Sequence, residues 1–168
     1  ASRRPLQFVG EKYGTDRPTA WISYSEDLHE WTEPELIDVP RFDWENGRMG
    51  MSPPPIKTEH GWLALHHGVD VEDAATKRVV YRLGAMMLDL DNPAKVLRRP
   101  KDFLMEPETY YEKFGLYIPY TIFPSGIVVR DDELSLYYGV CDTAIALATV
   151  SLSEVVDWVM SAELRDLD

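Results

Sequence analysis

The strongest indication of a fold class in this sequence is PPPIKTEHGWLALHHGVD, residues 53–70. Its three prolines fix an extended backbone and remove three hydrogen-bond donors, so this segment is neither a helix nor a central strand. The pair His60-Gly61 is typical of a turn, and the apolar run 62–69 predicts a strand that ends at Asp70. A rigid segment that turns back into a strand indicates a β fold.

Most of the remaining chain also reads as short strands separated by turn residues. A polar pair, Asp131-Asp132, lies between two alternating apolar runs and predicts a hairpin. Near the end, Ser151 or Ser153 is a suitable N-cap, and the apolar residues that follow predict a helix within 151–164. The sequence therefore predicts an all-β chain with a short C-terminal helix. The predicted strands are 20–25, 62–69, 78–88, 126–130, 134–140 and 143–150.

An internal repeat indicates how these strands are grouped. The segment LALHHGV, residues 63–69, has a counterpart in LSLYYGV, residues 134–140. Each is followed by a strand that ends in a polar residue and Leu, and a third copy of that ending lies at 23–28. Repeats of several strands are typical of propeller blades, although hairpins also resemble one another by chance. About two and a half blades are visible. We therefore expect residues 1–168 to form a single propeller fragment whose N-terminal blades are absent from this chain.

Composition and charge exclude several classes of function. The 168 residues carry a formal net charge of −12, which disfavours nucleic acid and anionic membrane surfaces as partners. A small anion can still bind where a few cations converge. Cys141 is the only cysteine, so no intrachain disulfide forms, and a reducing, cytoplasmic location is predicted. No apolar run reaches the ~20 residues of a membrane helix.

Two basic groups are candidates for an anion site. Lys57 follows the prolines directly, so it is either a pre-positioned cation or a solvated lysine beside a turn. His66 and His67 are adjacent on a strand and therefore face opposite ways, so only one of them can face a given pocket. Such a pair makes a poor metal site, and no metal is predicted.

Acidic and aromatic residues near the strand ends are further candidates. Asp70 and Asp142 each follow an apolar strand, where a carboxylate either accepts sugar hydroxyls, acts as an acid or base, or closes an Asx turn. Cys141 has no basic neighbour in sequence that would activate it as a nucleophile. Three tryptophans either stack on sugar rings or fill the core. They are Trp31, Trp44 and Trp62.

These motifs, in this order, resemble glycoside hydrolase family 130. The resemblance runs from about Arg17 to the terminal helix. It is carried by WISYSEDL (21–28), PPPIKTEHGWL (53–63), HHGVD (66–70), YRLGA (81–85), LDLDNP (88–93), FPSG (123–126) and YYGVCDT (137–143).

The resemblance implies a five-bladed β-propeller with its site at one end of the central channel. It implies a phosphorylase that cleaves β-mannosides with inversion and releases mannose 1-phosphate, with inorganic phosphate as co-substrate and no other cofactor. A β-mannoside hydrolase, a non-catalytic carbohydrate-binding or interaction module, and a homo-oligomer that completes one ring remain alternatives. The catalytic acid is expected in the missing N-terminal part, so no catalytic residue is assigned.

The resemblance also implies roles for six residues. The phosphate-binding set is Lys57, His67 and Arg17. The substrate-binding set is Tyr81, Asp142 and Asp70. For Lys57 and His67 we further expect the two side chains to meet at one end of a blade, because their segments can pair as adjacent strands.

Overall fold

A computed structural model describes residues 1–73, 75 and 78–163, and this part of the chain is almost entirely β. The two α-helices are α1 (Tyr110–Lys113) and α2 (Leu152–Met160), and short 3-10 turns lie at Glu11–Tyr13 and Asp43–Glu45. The strands are β1 (Ser2–Arg3), β2 (Ala20–Ile22), β3 (Glu35–Asp38), β4 (Arg48–Met51), β5 (Ile56–Lys57), β6 (Trp62–Asp73), β7 (Arg78–Leu88), β8 (Val96–Arg98), β9 (Ile122–Arg130), β10 (Glu133–Val140) and β11 (Ala144–Ser151).

The described strands form three consecutive antiparallel sheets. The first has the order β1-β2-β3, the second β4-β6-β7-β8 with β5 paired to β6, and the third β11-β10-β9. A propeller blade is expected to have four antiparallel strands. The path β4-β6-β7-β8 of the second sheet has this number, whereas the first and third sheets have three strands each. The two copies of the sequence repeat lie in β6 and β10, and each of these strands is paired on both sides. The repeat is therefore a repeat of structure.

The second sheet separates two hydrophobic cores, because its side chains alternate between its faces. One face carries Leu63 and Leu65 into a core shared with the third sheet and α2. The other carries Ala64 and Met86 against the first sheet. The run β7 is buried on both faces, and for this reason its sequence is almost continuously apolar.

A buried ionic network fastens the first sheet to the second. Arg99 is 3% exposed and pairs with the carboxylates of Asp38, at 2.7 Å, and of Glu45. Burial raises the pKa of Glu45, while the charge of Arg99 opposes that shift. His66 lies on this side of the sheet, with its Nε2 3.9 Å from Glu45 Oε2. This network belongs to the scaffold.

The C-terminal helix is confirmed and begins at its predicted cap. The Ser151 hydroxyl accepts a hydrogen bond from the Glu154 amide at 3.1 Å and donates one to Asp132 at 2.6 Å. Val155 and Val159 face the core. The end of the predicted range, Leu164, lies outside the described residues.

Candidate functional site

Strand alternation brings a group of polar side chains to one end of the second sheet. On β4, Arg48 and Gly50 share a face, and they lie opposite Val69 and His67 of β6. On the other side of β6, Tyr81 of β7 lies opposite Val69, so Arg48, Val69 and Tyr81 form one row across the three strands. The Arg48 guanidinium crosses that row and donates a hydrogen bond to the Tyr81 hydroxyl.

His67 is the buried centre of this group. Its ring is 3% exposed and lies 6.2 Å from the Tyr81 ring and 4.7 Å from the Phe123 ring, centroid to centroid. On one side, Nδ1 lies 3.3 Å from the Ser52 hydroxyl. On the other side, Nε2 is buried without a hydrogen-bond partner among the described residues. A polar atom that is buried and unpaired is costly, so its position indicates a ligand site.

Arg4 reaches the same place from the end of β1. Its side chain is half-buried, and within the described chain its Nη1 atom has no hydrogen-bond partner. Gly50 makes this approach possible, since a Cβ at that position would lie 2.8 Å from His67 Cε1 and 3.1 Å from Arg4 Cδ. Arg4 and His67 therefore meet over a glycine that has no side chain to separate them.

The electrostatics of this cluster favour an anion. Burial, together with the charges of Arg4 and Arg48, lowers the pKa of His67 to about 3, so the imidazole is neutral at neutral pH. Burial, followed by the charge of Arg48, also lowers the pKa of Arg4. Arg82 and Arg99 have carboxylate partners, whereas the described residues supply none to Arg4 or Arg48. In a chain with a net charge of −12, two neighbouring arginines that lack a carboxylate partner among the described residues make this cluster a candidate anion-binding site.

The prediction that Lys57 and His67 meet is wrong. The two segments do pair, but Lys57 lies opposite Trp62, at the far end of β6 from His67. Five residues of strand separate Trp62 from His67, a distance of roughly 16 Å, and this odd spacing also puts them on opposite faces. The exposed Lys57 ammonium lies 5.9 Å from the Trp62 ring. The alternative interpretation of Lys57, as a solvated lysine beside a turn, fits this geometry.

Two other predicted residues have partners outside the cluster, and the phosphate-binding role of Arg17 stays a prediction. Arg17 is half-exposed with its Nε 3.8 Å from the Asp16 carboxylate, although the neighbouring Pro18 carbonyl accepts a hydrogen bond from β4. Asp70 accepts hydrogen bonds from Asn46, at 2.6 Å, and from Arg82, at 3.1 Å. Asp70 therefore lies on the face of the sheet opposite His67, and the structure does not bring it into the cluster.

Two predicted substrate residues lie at the same end of the sheets as the His67 cluster. Tyr81 is part of the cluster, as described above. Asp142 is exposed, and together with Cys141 it forms the left-handed centre of a tight hairpin turn, both with φ 50°. This turn follows β10 and lies at the same end as Tyr81, because Cys141 N bonds to the Thr121 carbonyl and Thr121 bridges to Tyr81.

Sequence reasoning missed the residues that define the site. Arg4 and Arg48 were not candidates, nor were Ser52 and Phe123 as ligand contacts. A signal existed for two of them, because alternation along β4 puts Arg48, Gly50 and Ser52 on one face. The prediction that only one of the adjacent histidines faces the pocket is confirmed.

Other candidate chemistry has no structural support within residues 1–73, 75 and 78–163. This part of the chain contains no group of three or more His, Cys, Asp or Glu side chains that would hold a metal ion. It also contains no helix long and apolar enough to cross a membrane. Cys141 is buried, and its Sγ donates to the Glu112 carbonyl at 3.0 Å, which is a structural contact.

Comparison with known proteins extends these observations. The family model described as β-1,4-mannooligosaccharide phosphorylase, Glyco_hydro_130, matches residues 7–161. A 1,2-β-oligomannan phosphorylase of Thermoanaerobacter sp. (strain X514) is 41% identical over 140 residues, which cover 82% of this chain and 45% of that protein. The chain thus spans less than half the length of the curated relatives it matches.

Solved structures show the same fold. The β-1,2-mannobiose phosphorylase from Listeria innocua, in complex with β-1,2-mannobiose, aligns with a TM-score of 0.80 and 35% identity, covering 95% of this chain and 42% of that one. A structure from work on family 130 glycoside hydrolases that target β-1,2 mannosidic linkages in Candida mannan aligns with a TM-score of 0.68 and 27% identity, over 80% of this chain and 41% of that one. The three sheets are therefore part of a five-bladed β-propeller, as predicted.

Proposed function

Because this chain belongs to glycoside hydrolase family 130, we propose that the protein that carries it is a phosphorylase of β-mannosides. In this reaction an oxygen of inorganic phosphate attacks the anomeric carbon of a mannosyl unit. The bond from that carbon to the leaving oxygen breaks, a general acid gives its proton to that oxygen, and inverted mannose 1-phosphate is released. Phosphate is a co-substrate, and we propose no other cofactor.

The observation that carries this proposal is the pair of arginines beside His67 that have no carboxylate partner among the described residues. Arg4 and Arg48 converge on a buried imidazole whose Nε2 lacks a protein partner in the described chain. If the Ser52 hydroxyl donates to Nδ1, the neutral ring carries its proton on Nε2 and donates it to an anion. Guanidinium groups suit phosphate because their planar N–H groups bind two oxygens at once.

Each residue of the cluster has a distinct role in this proposal. Arg4 and Arg48 bind phosphate oxygens. The negative charge of the phosphate offsets the repulsion between the two guanidinium groups, which favours phosphate binding. Tyr81 fixes Arg48 through its hydroxyl, and Phe123 covers the other side of His67. Holding the nucleophile in one orientation against the anomeric carbon supplies the rate enhancement that positioning gives. We assign the general acid to none of the described side chains.

A hydrolase of the same family is the second candidate. A solved relative favours it, since it comes from work on family 130 hydrolases that target β-1,2 mannosidic linkages in Candida mannan. An enzyme that uses water as the nucleophile has no need of two arginines that lack carboxylates, so the cluster favours phosphate. No contact among the described residues favours a non-catalytic carbohydrate-binding module, a cytoplasmic location or a homo-oligomer, and these three stay predictions.

The deciding experiment incubates the protein that carries this chain with β-1,2- and β-1,4-mannooligosaccharides, with and without inorganic phosphate. Release of mannose 1-phosphate that depends on phosphate supports phosphorolysis. Release of mannose at the same rate in phosphate-free buffer identifies a hydrolase. Saccharide binding with no product in either buffer identifies a binding module.

A further inference from the structure

An exposed group of aromatic side chains lies on the segment 110–117, outside the anion site. The exposed fractions are 77% for Tyr110, 55% for Phe114 and 75% for Tyr117. The Tyr110 and Phe114 rings lie 4.9 Å apart, centroid to centroid. Large aromatic side chains are normally buried, so a cluster of exposed ones on one short segment indicates a binding surface. We call these three side chains the aromatic platform.

The platform stands on a rigid base. Glu112 is 2% exposed and accepts hydrogen bonds from its own helix cap, at Thr109 N, and from the Tyr138 hydroxyl, each at 2.7 Å. The Glu112 carbonyl accepts from Cys141 Sγ, and Leu116 N donates to Thr143 Oγ1 at 3.1 Å. The segment is thus fastened to the β10–β11 turn at both of its ends. Rings on such a base lose little conformational entropy when they bind.

The platform lies at the same end of the sheets as the anion site. Tyr81 N donates to the Tyr120 carbonyl at 3.0 Å, and the Tyr120 ring lies 6.2 Å from the Phe114 ring. A backbone hydrogen bond thus joins Tyr81 to Tyr120, and from Tyr120 a line of rings runs through Phe114 to Tyr110. The turn that carries Asp142 lies beneath the same segment. A ligand that extends from the anion site along this surface would therefore pass over the platform.

The chemistry of the platform suits a saccharide. A pyranose ring presents apolar C–H faces and a polar rim, which matches tyrosine, with its flat ring and polar tip. On the exposed face of the third sheet, the two most exposed large apolar side chains, Ile145 and Leu147, are aliphatic and have no polar group to offer a sugar, although Tyr137 lies beside them. The aliphatic face is typical of a surface covered by protein, whereas the platform is typical of a sugar subsite.

We infer that the aromatic platform binds the sugar units of a β-mannooligosaccharide that lie farther from the bond to be cleaved than a disaccharide reaches. This inference rests on the proposed substrate class. It predicts that the platform distinguishes long substrates from short ones and has no part in phosphate binding.

The test compares Tyr110→Ala and Tyr117→Ala with the control Ile145→Ala, which removes an equally exposed side chain from the aliphatic face. Affinity for β-mannobiose and for a longer β-mannooligosaccharide is measured by calorimetry in phosphate-free buffer. Each tyrosine variant should bind the longer saccharide roughly threefold to tenfold more weakly and the disaccharide as the unmodified protein does. The control should bind both normally.

Each outcome separates the platform from the proposed reaction. Equal affinity of the tyrosine variants and the control for the longer saccharide overturns the inference. So does a change in oligomeric state, seen by light scattering, with saccharide affinity unchanged, because the platform then docks protein. A platform-dependent affinity for long saccharides without any phosphate-dependent product keeps the inference and rejects phosphorolysis.

Discussion

Replacing Arg4 by Met tests the anion site, because the same change should weaken ligand binding and spare the unliganded fold. The Arg4 guanidinium has a buried Nη1 that no described residue pairs, and Arg48 lies near enough to lower its pKa. An unpaired buried donor costs about 1–3 kcal/mol. Without phosphate, Arg4→Met should therefore leave the free energy of unfolding unchanged or raise it.

With phosphate present, Arg4→Met should instead be less stable than the unmodified protein. Loss of a hydrogen bond between two charged groups costs about 1.5–3 kcal/mol, which is a roughly 10- to 150-fold weaker affinity. Phosphate at 100 times the dissociation constant of the unmodified protein stabilises that protein by about 2.7 kcal/mol. A variant with hundredfold weaker binding would gain about 0.4 kcal/mol at the same concentration.

The assay is urea denaturation and phosphate calorimetry at constant ionic strength, since salt screens exposed charges. Arg3→Met is the matched control, because the exposed Arg3 guanidinium lies 5.3 Å from the Trp31 ring and away from the cluster. The pKa of His67 should also rise in Arg4→Met, because the Arg4 charge lowers it. If both variants bind phosphate equally well, Arg4 is not a phosphate ligand and the site is misassigned.

Two further predictions follow from the geometry. Lys57→Ala should leave phosphate affinity within about twofold of normal, because its ammonium lies at the far end of β6; a tenfold loss in calorimetry would contradict this register argument. Burial and the two arginines lower the pKa of His67 from 6.5 to about 3, so the unfolded chain binds an extra proton between these values. The free energy of unfolding should therefore be steady above pH 6.5 and fall as the pH drops towards 3, by up to about 1.4 kcal/mol per pH unit. Urea denaturation across that range should show a smaller fall for His67→Gln, and equal slopes would refute it.

The features that could be predicted from the sequence are those that depend on residues close together along the chain. The bounds 78–88 were predicted correctly for β7, because a strand buried over most of both faces is almost continuously apolar. The helix after Ser151 was predictable because its cap and apolar stripe are local patterns. The repeat located β6 and β10 as equivalent strands, and the turn before Trp62 explained how β5 folds back on β6.

Short strands escaped prediction for a physical reason. β1, β3 and β8 are two to four residues long, too short for alternation to be distinguished from chance. β8 forms because the long strand β7 offers it backbone groups, whereas β1 and β3 form by pairing with the equally short β2. α1 escaped as well, since a single helical turn is held by the buried Glu112 and its tertiary partners.

The tertiary structure alone decided which residues form the site. Lys57 and His67 are close in sequence, yet the register of β5 on β6 places Lys57 beside Trp62, on the opposite face from His67 and five residues away along β6. Arg4 and His67 are far apart in sequence, yet two different sheets bring them together over Gly50. Spacing along the chain shows which way a side chain faces within its own strand. The residue it meets across the fold depends on register and on the packing of sheets, which are set by the whole hydrophobic core.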